Sequence, residues 1–312
     1  MKRKISVSKI LSYLMYGIII WFVVAFLIYP NLNILKMIFF RNGSFKLDSL
    51  KRLFSSPRAV RSLKNSFILA TTLLFTVDII GIFLVLVVDY FDIKGAKILK
   101  LGYMTTLIYG GVVLASGYKF VYGANGIMTK ILVSIFPNFN TGWFEGYGAV
   151  AFVMTFAITS NHVIFLSNAI RKIDYSTIEA AKNMGASQFY ILRKVVLPVL
   201  KPTIYAITVL LYITGLGATS APLIVGGKKF QTIGPMILTF SQTVSSRDLA
   251  AVLALILGIA TLILLSFMIY FERKGNFMSV SKTKSVIVKQ KINNPLINII
   301  VHLFAYLLFF IY

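Results

Sequence analysis

Six windows of about twenty apolar residues, each with few or no charges, leave this chain few ways to fold. Such a window matches the length of helix needed to cross about 30 Å of hydrocarbon. In that solvent every backbone polar group must be satisfied internally, as it is in a helix. The runs lie near 10–29, 67–88, 101–121, 148–168, 203–223 and 249–270, with a last from about 295 to 312. The chain is therefore read as an all-α, multi-pass membrane protein.

Charge supports this class. The 312 residues carry a formal net charge of +23. The basic residues lie between the apolar windows rather than on one face of a polar domain, so they read as membrane-flanking and imply contact with lipid, not nucleic acid. Cysteine is absent, and His162 and His302 stand too far apart in sequence to suggest a metal cluster. The first apolar run follows Lys2, Arg3, Lys4 and Lys9 but is longer than a signal-peptide core and has no small-residue cleavage site, so it reads as a retained span. A cytoplasmic N-terminus places 90–100, 169–202 and 271–294 on the inner side, with a small excess of Lys and Arg there. The basic stretch 30–66 opposes the rule. Leu47, Leu50, Leu53 and Phe54 have helical spacing within it, consistent with an amphipathic surface helix or with a solvated loop.

One polar island, 174–198, interrupts the apolar run. Ser176 and Glu179 have the spacing of a capping box, which predicts a helix starting near Thr177 with Glu179 in its first turn. Ala180 and Ala181 offer a face for close approach. Gly185 is placed to end this helix in a left-handed cap, and Ser187 to cap a second. Leu197-Pro198 predicts a bend into the next span.

These residues carry a resemblance. "EAAKNMGASQFYILRKVVLP" is similar to the EAA signature of bacterial ABC importer permeases, with Glu179, Ala180, Ala181, Gly185, Leu197 and Pro198 on the pattern and Val195 where it prefers Ile. "RKIDYSTIEAA", "FKLDSLKRLF…NSF" and "SAPLIVGG" resemble the flanking family segments, so the likeness covers most of 44–270. It implies a six-span type I transmembrane domain (MetI-like) in the bacterial inner membrane. It further implies a cytoplasmic ATPase dimer docked on the island, a second permease half or a second copy, and an extracytoplasmic solute-binding protein. ATP and Mg would sit on the ATPase, since this chain has no phosphate-binding G-x-x-x-x-G-K-[ST] run and no catalytic motif. The likeness is greatest to ferric-iron permeases, with polyamine, thiamine and phosphonate types as alternatives. A membrane scaffold or lipid-acting enzyme is the reading from another class.

Within the spans, Asp78, Asn161, His162, Gly215 and Ser220 are the candidates for the solute path or for helix packing, because intramembrane polar groups are costly unless paired or wet. Gly110, Gly111, Gly215 and Gly217 are expected at close helix approaches. The expected division is an N-terminal span with a basic segment (1–66), a permease core (67–270), a basic linker (271–294) and a terminal apolar segment (295–312). That last segment resembles the chain's own beginning. It is expected to start a second half of a fused permease, the simpler alternative being a seventh span.

Overall fold

The computed structural model describes residues 7–41, 44–45, 47–274 and 288–312. Along the chain, α1 (Val7–Val23), a π turn at Val24–Ile28 and α2 (Tyr29–Phe39) form one apolar rod. A two-residue hairpin, β1 (Phe40–Arg41) with β2 (Ser44–Phe45), leads to α3 (Asp48–Phe54) and α4 (Pro57–Val85), which a π turn extends to Tyr90. Then come α5 (Ala96–Met104), α6 (Gly111–Tyr122), α7 (Ile127–Ile135), α8 (Tyr147–Ile170), α9 (Tyr175–Asn183) and α10 (Gln188–Ile191). A π turn at Leu192–Val196 joins α10 to α11 (Leu197–Leu216), followed by α12 (Ser220–Val225), α13 (Ile233–Ser241), α14 (Arg247–Lys274) and α15 (Pro295–Ile311).

Five helical stretches are long and apolar enough to span: Leu11–Phe39, Pro57–Tyr90, Tyr147–Ile170, Gln188–Leu216 and Val244–Tyr270. A sixth, Ala96–Leu107 with Gly111–Ile135, is broken by a 113° bend. The expected unbroken span at 101–121 is thus corrected. Gly110 stands at the break in extended conformation, where hydropathy alone gives no sign of a change in backbone direction. Two boundaries also move. Pro30 directly follows the π turn Val24–Ile28, whose wider register accommodates the missing N–H, so the first rod continues to Phe39. The second starts at Pro57, so Arg58, Arg61 and Lys64 ride on its opening turns instead of in a loop.

The chain forms two compact units. The first comprises Met1–Val60 and Met236–Ile259. In it α3 buries Leu53 but leaves Leu47 and Phe54 exposed, so only part of the expected apolar stripe is covered. Arg52 on α3 bonds Asp248 at 2.6 Å and the Ser245 carbonyl at 3.0 Å. None of the most apolar part of Leu11–Phe39 is buried.

The second unit comprises Arg61–Pro235 and Ala260–Tyr312. Its centre is α8, 67% of whose apolar window is buried, against 39% for Pro57–Tyr90 and 28% for Gln188–Leu216. Lipid is as apolar as leucine, so helices here are held by close packing and hydrogen bonds rather than by the hydrophobic effect. The seam of α4 with α8 shows the second device, with Thr72 bonded to Tyr147 at 2.5 Å and Thr76 to Thr155 at 2.8 Å. Gly215 shows the first: a Cβ there would lie 2.7 Å from the Ala70 backbone. Gly111 likewise faces Ser220 at 3.0 Å, where α12 packs on α6. Gly110 and Gly217 are not at such approaches. A Cβ on the first meets nothing within 4 Å, and one on the second only its own helix.

The last helix, α15, begins with Asn294 accepting from Leu296 and Ile297 N–H and with Pro295 in its first turn. It packs on α5 through buried Ala305 and Leu308, with the Tyr103 hydroxyl donating to the Ala305 carbonyl at 2.7 Å. Most of the basic linker expected at 271–294 lies outside the described residues.

Candidate functional site: the helical island and the polar clusters beside it

The first helix of the island starts two residues before its expected position. Asp174 is the N-cap of α9, its carboxylate accepting from the Ser176 N–H at 3.0 Å. The expected Ser176–Glu179 box does not form, and Glu179 sits beyond the first turn, where the helix dipole has little hold. Apolar burial decides between the two registers. With Asp174 as cap, Ile173 and Ile178 take the flanking positions of a hydrophobic staple, and both are buried. With Ser176 as cap, those positions would fall to Tyr175 and the exposed Ala180.

At the far end, Gly185 has φ +81°. Its N–H bonds the Lys182 carbonyl at 2.8 Å, and the Ala186 N–H bonds the Ala181 carbonyl at 3.0 Å. This is the double closure of a Schellman motif, which a left-handed residue makes possible. Two residues on, the Ser187 hydroxyl accepts from the Tyr190 N–H at 3.3 Å and opens α10. The island is a helix-turn-helix, but the helix does not break at Leu197-Pro198. The helical stretch runs unbroken from Gln188 to Leu216, because the π turn before Leu197 places Pro198 in the first turn of α11.

Burial gives the island two faces. Ile178, Ala181, Ile191 and Val196 turn inward to the core of the second unit. Glu179, Ala180, Lys182, Met184 and Phe189 turn outward, Met184 being 80% and Phe189 70% exposed. The alanine pair is therefore split: Ala180 is free for another surface, and Ala181 is used by its own fold. Glu179 makes no ion pair among the described residues.

Two polar clusters lie within the same unit. Asp78 on α4 bonds His162 Nε2 on α8 at 2.8 Å through one oxygen and accepts from Thr208 on α11 at 2.7 Å through the other. One carboxylate thus ties three helices. Gly81 makes room for the fully buried imidazole, since a Cβ there would overlap its ring. Asn161, half-buried, joins no hydrogen bond among the described residues, and Ser220 opens α12. The second cluster escaped the sequence reading. Lys100 on α5 reaches both oxygens of Asp89 at 2.8 Å and the Ser167 hydroxyl at 3.0 Å, and that hydroxyl donates to Asp89. Its one signal was an acidic residue at the end of an apolar run with a lysine eleven positions on. Among the described residues no group of three His, Asp or Glu could hold a metal ion.

Comparison with known proteins places this geometry. The model of the binding-protein-dependent transport system inner membrane component family matches residues 5–272. A probable ABC transporter permease protein of Sinorhizobium fredii is 41% identical over 313 residues, covering 100% of this chain and 55% of its own length. The ferric transport system permease protein of Actinobacillus pleuropneumoniae is 25% identical, covering 83% of this chain and 37% of its own length. The spermidine/putrescine transport system permease protein of Haemophilus influenzae is 24% identical, covering 86% and 93%. The chain thus spans about half or less of the first two relatives. A bacterial ABC transporter involved in the import of the acidic polysaccharide alginate has the same fold, with TM-score 0.73 at 18% identity over 86% of this chain and 96% of that one.

Proposed function

Because the chain belongs to the binding-protein-dependent transport system inner membrane component family, we propose that it is the membrane-spanning permease subunit of an ATP-driven importer and meets its ATPase through the Asp174–Pro198 island. The observation that carries this reading is the island's two-sidedness. One face is fixed to the bundle by Ile178, Ala181 and Ile191, and the other offers an unpaired carboxylate, a small residue and two exposed apolar side chains. Large apolar groups rimmed by charge are the composition of a protein-docking surface.

In this reading the island faces the cytoplasm, as does the N-terminus. Glu179 meets a basic or polar group of the ATPase, Ala180 allows backbone approach, and Met184 and Phe189 fill its cleft. Gly185 sets the angle between α9 and α10, and Leu197 and Pro198 begin the span that the island moves. ATP and Mg bind on the ATPase, a binding protein delivers solute from outside, and a second permease half or a second copy completes the pathway. Asp78, His162 and Thr208 hold α4, α8 and α11 together and do not line the path, because both carboxylate oxygens are already engaged. The proposed solute is ferric iron, supported by the likeness to ferric permeases. Competition for uptake by ferric complexes, a phosphonate and a polyamine separates it from its rivals.

Glu179→Lys tests the docking. A reversed charge on a rim position should remove the ATPase from the purified complex and abolish uptake while the permease still inserts. Retention of both the ATPase and uptake would overturn the assignment.

A further inference from the structure

The extended segment before α15 is stitched to two places at once. From Lys289 to Asn293, Gln290 and Ile292 turn inward while Lys289, Lys291 and Asn293 are exposed, the alternation of a strand. On one side it pairs with the end of the α4 rod. The Gln290 N–H bonds the Tyr90 carbonyl at 2.9 Å, the Asp92 N–H bonds the Gln290 carbonyl at 2.9 Å, and Lys289 Nζ reaches the Val88 carbonyl at 2.8 Å. On the other side it holds Gln188, the first residue of α10. The Gln188 amide nitrogen donates to the Lys291 carbonyl, and its oxygen accepts from the Asn293 N–H at 3.2 Å. One side-chain amide thereby pairs with the strap backbone as a neighbouring strand would. Asn294, next in sequence, caps α15, which is itself anchored through Ala305 and by the Tyr306 hydroxyl on the Lys94 carbonyl.

We propose that Gln188 is a positioning residue for the docking island, tying its second helix through the Val288–Asn294 strap to the end of α4 and to α15. The assignment rests on the docking reading above. Without this tie, the turn at Gly185 and Ser187 loses its two side-chain bonds to the strap and leans on the apolar contacts of α9 and α10. Those contacts set depth; they resist sliding and rotation poorly, since apolar attraction has no direction. Two hydrogen bonds to a single backbone segment do have direction. The strap therefore sets the angle at which the outward face meets its partner, and displacement of that face is passed to α4 and α15 together.

The chain contains no cysteine, so the tie can be cut and restored at will. In the full chain carrying both Gln188→Cys and Asn293→Cys, amide hydrogen exchange over Ser187–Arg193 should rise roughly fivefold, the factor expected for losing two exposed hydrogen bonds that each lie near the low end of the net range. In the reconstituted transporter, solute taken up per ATP hydrolysed should fall by a similar factor. A short bis-maleimide linking the two cysteines should restore both values. Unchanged exchange would mean that the tie does not hold the island. Raised exchange with an unchanged uptake ratio, or a ratio that linking fails to rescue, would reduce Gln188 to a local stabiliser and overturn the proposal. Glu179→Lys run in parallel separates the two readings: ATPase and uptake both retained on that variant defeat the docking assignment, whereas ATPase lost there, with the Gln188 results flat, defeats only the strap.

Discussion

Replacing Gly185 isolates a pure backbone effect, because the structure removes every competing one. At φ +81° an L-residue brings its Cβ against its own carbonyl, a penalty of about 1–2 kcal/mol. A Cβ built there meets nothing within 4 Å, so crowding adds nothing. Helix α9 is nine residues long and closes on the two Schellman bonds, so the penalty falls on the local opening of the turn and not on the bundle. At about 1 kcal/mol, Gly185→Ala should raise the opening constant roughly fivefold. Gly185→Asn should raise it less, since asparagine tolerates the left-handed region, and Gly185→Val more. The assay is amide exchange of peptides covering Ala181–Ser187 in the purified full chain, with a peptide of α8 as internal reference. Equal exchange in all four proteins, or Asn behaving worse than Val, would refute the left-handed closure and with it the turn that aims α9.

Three further perturbations follow from the same geometry. Asp174→Ala should destabilise α9 locally by about 1 kcal/mol through loss of its cap, whereas Ser176→Ala should be near neutral, read again by exchange. Thr208→Val should cost about 0.6 kcal/mol, as interhelical hydrogen bonds in membranes commonly do, and Asp78→Ala more, because it strands His162 as well. Thermal unfolding in detergent ranks the two, and an equal loss would show that the Asp78–His162 contact contributes nothing. Gly215→Ala should cost about 1–3 kcal/mol, since backbone rather than a flexible side chain blocks its Cβ at 2.7 Å, while Gly217→Ala, with open space around it, should cost less. The same melting assay checks both.

What could be read from the sequence depended on how local the cause was. Apolar length revealed the spans, and Gly185 and Ser187 revealed the turn, because each acts through its own backbone or solvent preference. The start of α9 was misread because Asp174 and Ser176 are both good caps. The choice belongs to Ile173 and Ile178, whose burial depends on the rest of the bundle. The break at Gly110 was invisible to hydropathy, since apolar residues continue on both sides of it. The Asp89, Lys100 and Ser167 cluster draws on three helices, and the grip of Gln188 on Lys291 and Asn293 spans more than a hundred residues, so neither leaves a periodic trace.

The continuity of the helix through Pro198 has a mechanical consequence. Gln188–Leu216 is a helical stretch of 29 residues, about 43 Å long at 1.5 Å per residue. A break at Pro198 would let the island swivel while the span stayed still. An unbroken rod instead acts as a lever. Pivoted near its middle, it converts a tilt of about 5° into opposite displacements of about 2 Å at its two ends, enough to unseat a close-packed contact such as that of Gly215 with Ala70 near the far one.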